Sequence, residues 1–184
     1  MASAHATTLK EKRVVLSSAE LQRTIERLAQ QIIEPHGASD DLILIGIRKG
    51  GENFARRIHA QIKARTGVTL ALGFLNVTIY RDDDAARDMP DSQIAVDVAG
   101  KEVVVVDDVL YTGRTVRSAL DAITDLGRPR VARLCVLVDR GLRELPIQPD
   151  YVGRFVPTSR AEHVEVHLGR EQGDTDRVTI YERT

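Results

Sequence analysis

Four short apolar runs constrain the fold of this chain more than any other feature. They read LILIGI at 42–47, LALGFLNVTIY at 70–80, VVVVD at 103–107 and VARLCVLV at 131–138. The first is rich in β-branched residues and lacks polar alternation, which is typical of a strand covered on both faces. Amphipathic patterns closed by glycine follow at 52–67 and 114–127. This order predicts an α/β fold with an open, mostly parallel sheet flanked by helices.

Outside these runs the sequence predicts one more helix and one long loop. Ser17 and Glu20 fit a capping box at the start of an amphipathic segment that ends near 35–37. The polar segment 81–93 has no apolar periodicity and is predicted to be a mobile loop. Shorter extended pieces follow residue 139. A length of 184 residues fits a single domain, 1–184, with its core at about 13–138.

Composition indicates an ordinary cytoplasmic protein. The chain has 26 basic and 27 acidic residues, so net charge alone names no partner. Its single cysteine, Cys135, lies in an apolar run and can form no internal disulfide. There is no signal peptide after Met1 and no apolar run of membrane-spanning length. We therefore expect a cytoplasmic location and no membrane partner.

The stretch VVVVDDVLYTGRT, residues 103–115, carries the clearest chemical signal. If 103–107 is a central strand, Asp107 and Asp108 sit at its carboxyl end, where parallel sheets bind ligands. Thr112, Gly113 and the residues after them would then enter a helix N-terminus, whose free N–H groups favour a phosphate. Two carboxylates beside a phosphate suit ribose hydroxyls or a bound Mg²⁺. A structural strand end with a capping aspartate is the plain alternative, and a receiver-like acidic cluster is a remoter one.

This stretch resembles the phosphoribosyl pyrophosphate (PRPP) signature of type I phosphoribosyltransferases. More narrowly, DDVLYTGRTVRSALDAI, LVDRGLRELPIQPDYVGR, VPTSRAEHV and TIYRDD resemble the pyrimidine operon attenuator (PyrR) family, over about residues 13–182. The resemblance implies a type I phosphoribosyltransferase fold. It implies the reaction of uracil with PRPP to give UMP and pyrophosphate, with Mg²⁺ held mainly by PRPP and by Asp107 and Asp108, which would also be the catalytic residues.

The resemblance also implies which residues bind each part of the substrates. The base would lie under a small C-terminal hood, residues 139–168, and a lid at 81–93 would close over PRPP. The residues implied are, for the 5′-phosphate, Val109, Leu110, Tyr111, Thr112, Gly113, Arg114 and Thr115; for pyrophosphate, Arg48, Lys49, Gly50, Gly51 and Arg81; and for the base, Val138, Arg140 and Val164. An ordinary surface turn at 48–51, a solvated Arg81 and simple packing of the two valines are the alternatives.

A second role implied by the resemblance is binding of the messenger RNA leader of pyrimidine genes, controlled by UMP or UTP. Arg23, Arg27 and Arg143 are the expected RNA contacts, across a homodimer or higher homo-oligomer. A basic run that is merely a solvated face is the alternative. Because the PRPP signature does not report the base, a purine or orotate phosphoribosyltransferase without an RNA-binding role is the competing enzyme assignment.

Overall fold

The computed structural model describes residues 9–35, 39–77, 94, 97–173 and 175–183. The elements in chain order are β1 (Leu9–Leu16), α1 (Ser18–Ile33), β2 (Leu42–Ile47), α2 (Gly51–Thr66), β3 (Ala71–Leu75), β4 (Glu102–Leu110), α3 (Arg114–Leu126), β5 (Val131–Asp139), β6 (Tyr151–Phe155), β7 (Glu162–His167) and β8 (Arg177–Arg183).

Five strands form the main sheet, in the order β3-β2-β4-β5-β6. Every neighbouring pair in this sheet is parallel. The central strand, β4, is the one that carries the motif at 103–115, and its valines at 103–106 are fully buried. The predicted α/β fold is therefore confirmed, with the carboxyl ends of β2, β3, β4 and β5 at one edge of the sheet.

The two faces of the main sheet are covered differently. The apolar faces of α1 and α2 pack on one side, in a cluster that includes Leu21, Ile25, Phe54 and Ile58. On the other side α3 packs with Val116, Ala119 and Ile123 against alternate residues of β2, β4 and β5. Burial on both faces explains why these strands lack polar alternation in the sequence.

A second sheet, with the order β1-β8-β7, joins the two ends of the described chain. Its strands are antiparallel. The segment 139–168, predicted to be the hood, is divided between the sheets: β6 extends the main sheet beside β5, whereas β7 pairs with β8. The second sheet is built from β1, β7 and β8, and β1 was not predicted from the sequence.

Two predicted boundaries differ from the structure. The second apolar run was predicted to be a strand over 70–80, but β3 ends at Leu75 and residues 78–80 lie outside the described residues. The motif strand was predicted to end at Asp107, but β4 continues to Leu110 because Val109 and Leu110 still pair with Val138 and Asp139. No helix in the described part of the chain is long and apolar enough to cross a membrane.

Candidate active site

The turn between β4 and α3 has the geometry of an anion cradle. Residues 111–113, called the phosphate loop below, link the last residue of β4, Leu110, to the first residue of α3, Arg114. Gly113 has a φ of 93°, a left-handed conformation that glycine adopts without strain. The first N–H groups of α3 have no intrahelical partner, and the helix dipole favours an anion there. This end of the sheet can therefore accept a phosphate.

Asp107 and Asp108 lie inside β4, just before this turn. A side-chain oxygen of Asp107 accepts a hydrogen bond of 3.0 Å from the Asp108 N–H, and one of Asp108 accepts a bond of 2.8 Å from the Val109 N–H. The Asp107 side chain is buried. Burial raises the pKa of Asp108, against the lowering effect of its backbone hydrogen bonds. The two carboxylates are thus held by the backbone of their own strand.

The turn after β2 faces these carboxylates. The backbone N–H of Arg48 donates to the Leu75 carbonyl at 2.8 Å, which ties this turn to the end of β3. Lys49 has a φ of 79°, a left-handed conformation that is strained for a residue with a side chain. Gly51 begins α2 where any β carbon would overlap with the carbonyl of Val106. Two successive glycines therefore allow the turn and the start of α2 to reach β4.

A cavity of about 190 Å³ joins the two halves of the site. Arg48, Lys49 and Gly50 line one side, and Asp107, Asp108 and Val109 line the other. Thr115, from the first turn of α3, also reaches this cavity. The structure thus brings together most of the residues predicted to bind ribose and pyrophosphate, although they lie far apart in the sequence.

Three further residues line this cavity that the sequence did not single out, namely Ile47 at the end of β2, Asn76 and Val77. Asn76 and Val77 follow directly after β3, and both are buried. A polar residue at the carboxyl end of a parallel strand was the available signal, because that edge of such a sheet is where ligands bind. We missed it because the predicted strand ran on to residue 80.

The side chains of the phosphate loop and its flanks face several directions. Leu110 is buried in the core beneath α3. Arg114 is exposed and pairs with Glu144 at 3.0 Å. The Tyr111 ring lies under the Arg140 guanidinium, 4.3 Å from ring centre to carbon. These contacts leave the backbone, together with Thr112 and Thr115, as the groups of this segment suited to holding a phosphate.

The charged side chains of the turn that was predicted to bind pyrophosphate are partly engaged in contacts within the protein. One terminal nitrogen of Arg48 donates to Glu52 at 3.2 Å, and the Arg48 side chain is only 9% exposed. Nε of Arg48 is buried without a hydrogen-bond partner among the described residues. Arg81, the predicted clamp, and the predicted lid at 81–93 lie outside the described residues.

The three residues predicted to surround the base lie near the end of β5. Val138 and Val164 are buried in the same apolar cluster as α1 and α2. Arg140 is buried as well, and it donates to the Thr158 hydroxyl and to the carbonyls of Ser159 and Glu162. Burial lowers the pKa of Arg140 from its ordinary value. Arg140 therefore fixes the segment leading into β7 above the Tyr111 ring.

The three arginines predicted to contact RNA have different environments. Arg23 and Arg27 lie on the exposed side of α1, in a groove of about 250 Å³ that Arg154 also lines. Arg27 donates to the carbonyls of Val152 and Gly153, at the edge of the main sheet. The Arg143 side chain is only 19% exposed, and all three of its guanidinium nitrogens donate hydrogen bonds to protein atoms. Arg143 is therefore placed as an internal contact, apart from the groove on α1.

Comparison with known proteins identifies relatives of both the sequence and the fold. Residues 15–169 match the phosphoribosyl transferase domain family. The chain is 44% identical to the Bifunctional protein PyrR of Oceanobacillus iheyensis, over 95% of this chain and 100% of that one. It is 47% identical to the Bifunctional protein PyrR of Pelotomaculum thermopropionicum, over 94% and 97%.

Two solved structures illustrate the similarity of fold. The crystal structure of the hypoxanthine phosphoribosyltransferase of Trypanosoma cruzi matches with a TM-score of 0.70 and 19% identity, over 95% of this chain and 98% of that one. A hypoxanthine phosphoribosyltransferase from Staphylococcus aureus matches with a TM-score of 0.66 and 23% identity, over 81% and 80%. At these identities the likeness concerns the fold.

Proposed function

The chain belongs to the phosphoribosyltransferase family and, within it, to the PyrR proteins, and from that premise we propose that it makes UMP and pyrophosphate from uracil and PRPP. The observation that carries this proposal is the shared cavity of the 48–50 turn and the 107–109 segment of β4. One wall offers carboxylates and the other offers cations and backbone N–H groups. PRPP carries matching groups, because its ribose hydroxyls and its pyrophosphate are bonded to adjacent carbons of one ring.

The proposed reaction breaks the bond between the anomeric carbon of PRPP and pyrophosphate. It forms a bond from that carbon to a ring nitrogen of uracil, and the proton of that nitrogen ends on the released pyrophosphate or on water. Positive charge develops on the ribose and negative charge on the departing pyrophosphate, and a site accelerates the step by complementing both. Asp107 and Asp108 would serve the ribose, whereas Arg48, Lys49 and the backbone of Gly50 and Gly51 would serve the pyrophosphate.

Mg²⁺ is the cofactor we propose. The carboxylate oxygens of Asp107 and Asp108 are donors of the kind that Mg²⁺ prefers, and Mg²⁺ commonly combines one or two carboxylates with phosphate oxygens of the substrate. The described residues contain no group of three or more aspartate, glutamate, histidine or cysteine side chains that could hold a metal ion. We therefore assign the remaining ligands to PRPP. The ion would supply neutralising charge for the pyrophosphate.

For the base we propose the space at the carboxyl ends of β4 and β5. Val109 and Val138 are paired in the sheet register, and Arg140 is the first residue after β5. We assign the hydrogen bonds of uracil to backbone groups of this segment. Val138 and Val164, which are buried in the core, would form the apolar wall of the space. Arg81 and the segment 81–93 are proposed as the pyrophosphate clamp and lid.

The deciding experiment measures product formation from PRPP and Mg²⁺ with uracil, hypoxanthine, guanine, adenine and orotate in parallel. We expect UMP and pyrophosphate with uracil alone. The variant with Asp107→Asn and Asp108→Asn should lose the activity, while Asp121→Asn, at an exposed position on α3, should keep it. Activity with a purine or with orotate, and not with uracil, would replace the proposed substrate. Absence of activity with every base would reject the enzyme assignment.

We propose a second function, binding of the messenger RNA leader of pyrimidine genes in the presence of UMP or UTP. The groove formed by Arg23, Arg27 and Arg154 supports it, because three guanidinium groups on one surface suit an RNA backbone. Glu20 also lines this groove and reduces its net charge. A homodimer or a higher homo-oligomer would present more than one such groove. Light scattering would give the number of chains in each particle. If RNA binds to a protein that is a monomer, and so has a single groove, the proposed oligomeric arrangement is wrong.

A further inference from the structure

A second loop lies against the phosphate loop. Residues 141–147, called the clamp loop below, follow β5 by one residue. The backbone N–H groups of Glu144 and Leu145 both donate to the Thr112 carbonyl, at 3.0 and 3.1 Å. The side chains of Leu145 and Ile147 lie beside Gly113, where an added β carbon would be about 3.4–3.5 Å from them. The clamp loop therefore contacts the middle and the end of the phosphate loop.

Arg143 connects the two loops at their base. One terminal nitrogen, Nη1, donates to the Tyr111 carbonyl at 2.9 Å and to the Gly141 carbonyl at 3.3 Å. Nε donates to the Ile147 carbonyl at 3.0 Å, and Nη2 donates to Oδ2 of Asp139 at 2.6 Å. A single planar guanidinium thus bridges the end of β5, both ends of the clamp loop and the first residue of the phosphate loop. A lysine ammonium could not satisfy this set, because it lacks the fixed fork of donors.

The clamp loop needs this support because of its backbone. Gly141 has a φ of 74° and Leu142 a φ of 60°. Leu142 carries a side chain, and such residues hold a left-handed conformation only where their surroundings fix it. The bonds of Arg143 to the carbonyls of Gly141 and Ile147 close the loop on both sides of Leu142. Loss of Arg143 would release the clamp loop and, with it, the carbonyls of Tyr111 and Thr112.

We infer that Arg143 is a positioning residue for the phosphate loop, holding its backbone ready for the 5′-phosphate of PRPP and UMP. This inference rests on the proposed phosphoribosyltransferase function. A loop already held in its binding conformation loses less entropy when the phosphate binds, which raises affinity. Arg143 acts through the carbonyl of Tyr111 and has no direct contact with the ligand in this role.

The test compares Arg143→Lys and Arg143→Gln with the unchanged protein. We expect the KM for PRPP and the Kd for UMP to rise by about tenfold or more in both variants, because misplacing a binding group by a fraction of an ångström is costly. The KM for uracil should change little. Loss of binding shared by ground and transition states raises KM more than it lowers kcat. A KM does not depend on the folded fraction, so partial unfolding of a variant leaves this comparison readable.

Arg160→Gln is the matched control. Arg160 is exposed and pairs with Glu144 at 3.4 Å, so its loss removes the same charge beside the same loop without touching Tyr111. We expect unchanged constants. If Arg143→Lys behaves like the unchanged protein, charge alone is sufficient and the positioning role is wrong. A fall in RNA affinity with unchanged PRPP and UMP constants would also overturn it. If the unchanged protein makes no UMP, the proposed function fails, and the UMP affinities of the variants still decide the role of Arg143.

Discussion

The carboxyl group of Asp108 occupies the space directly beside the α carbon of Gly50. A β carbon built at position 50 would overlap with all three atoms of that carboxyl group. Gly50 has φ −83° and ψ −47°, a conformation that any residue can adopt, so the Asp108 carboxyl group and not the backbone opposes a side chain there. The turn proposed to bind pyrophosphate and the carboxylate proposed to bind ribose are therefore in direct contact in this chain.

Replacing Gly50 by alanine should impair the use of PRPP. The added methyl group forces Asp108 to turn away from its bond with the Val109 N–H. We expect kcat/KM for PRPP to fall by about tenfold or more, because the carboxylate loses its fixed position. Steady-state kinetics with varied PRPP measures the effect, and the helical backbone angles at Gly50 predict normal folding.

A double-mutant cycle with Asp108→Ala shows whether the effect passes through Asp108. In that background the carboxyl group is gone, so Gly50→Ala should cause little further loss. Contacting residues give non-additive effects, whereas independent ones add. Equal losses in both backgrounds would contradict the contact as the cause.

Asp108→Asn should stabilise the protein at neutral pH. Because burial raises the pKa of Asp108, the folded protein binds its proton at pH values where the unfolded chain has released it. Stability therefore falls as pH rises from the ordinary aspartate value, about 3.9, through the raised value. We expect a gain in Tm at pH 7 in a metal-free buffer, because asparagine has no charge to bury. The gain should shrink as the pH is lowered toward 4, and a constant gain would contradict the assigned cause.

Asp176→Ala should destabilise the fold strongly. Asp176 accepts hydrogen bonds from Arg57 at 2.9 Å and from the N–H groups of Gly169 and Gly173. Both side chains of this ion pair are nearly inaccessible, at 6% and 3%. Removing one partner of a buried pair typically costs about 3–5 kcal/mol. Urea unfolding measures the loss, and Asp121→Ala, which breaks an exposed pair with Arg117, should change stability by less than about 0.5 kcal/mol.

The buried pair of Asp176 and Arg57 makes stability depend on pH in the direction opposite to that of Asp108. Burial acts to raise the pKa of Asp176, but the bonds from Arg57, Gly169 and Gly173 outweigh it and the pKa lies below the ordinary value. The stability from this group is present above the pKa of the unfolded chain and is lost as pH falls through the folded value. Acid unfolding of Asp176→Asn should therefore lack part of the dependence seen in the unchanged protein. Identical acid profiles would contradict this.

The main sheet was predictable because each of its buried strands has a recognisable pattern in the local sequence. The valines at 103–106 and the run at 42–47 are buried on both faces, and this double burial is what removes polar residues from the sequence. β1 was missed for the opposite reason. Lys10, Glu11, Lys12 and Arg13 are exposed, and the strand is defined by pairing with β8 at the other end of the chain. Pairing between distant segments leaves no local pattern.

The candidate site was predictable only in part, because residue type does not report side-chain direction. Asp107, Asp108 and the 48–50 turn meet as expected at the carboxyl ends of adjacent strands. Arg143 resembles a surface cation in the sequence, yet its partners are mainly backbone carbonyls. Backbone carbonyls are present at every residue, so no pattern of side chains could have predicted that arrangement. The contact between Gly50 and Asp108 likewise exists only once β2 and β4 are adjacent.

Arg23→Gln should weaken RNA binding without affecting UMP formation. Arg23 is exposed and lines the groove on α1, whereas Arg27 also holds the carbonyls of Val152 and Gly153, so only Arg23 can be changed without disturbing the sheet edge. With the leader transcript of the pyrimidine genes and UMP present, we expect the slope of log K against log salt to fall by about 0.7, as for one lost phosphate contact on a single strand. Titrations at several salt concentrations measure it. Arg117→Gln, an exposed arginine on α3, is the control, and an equal loss in that variant would indicate a general charge effect in place of a specific groove.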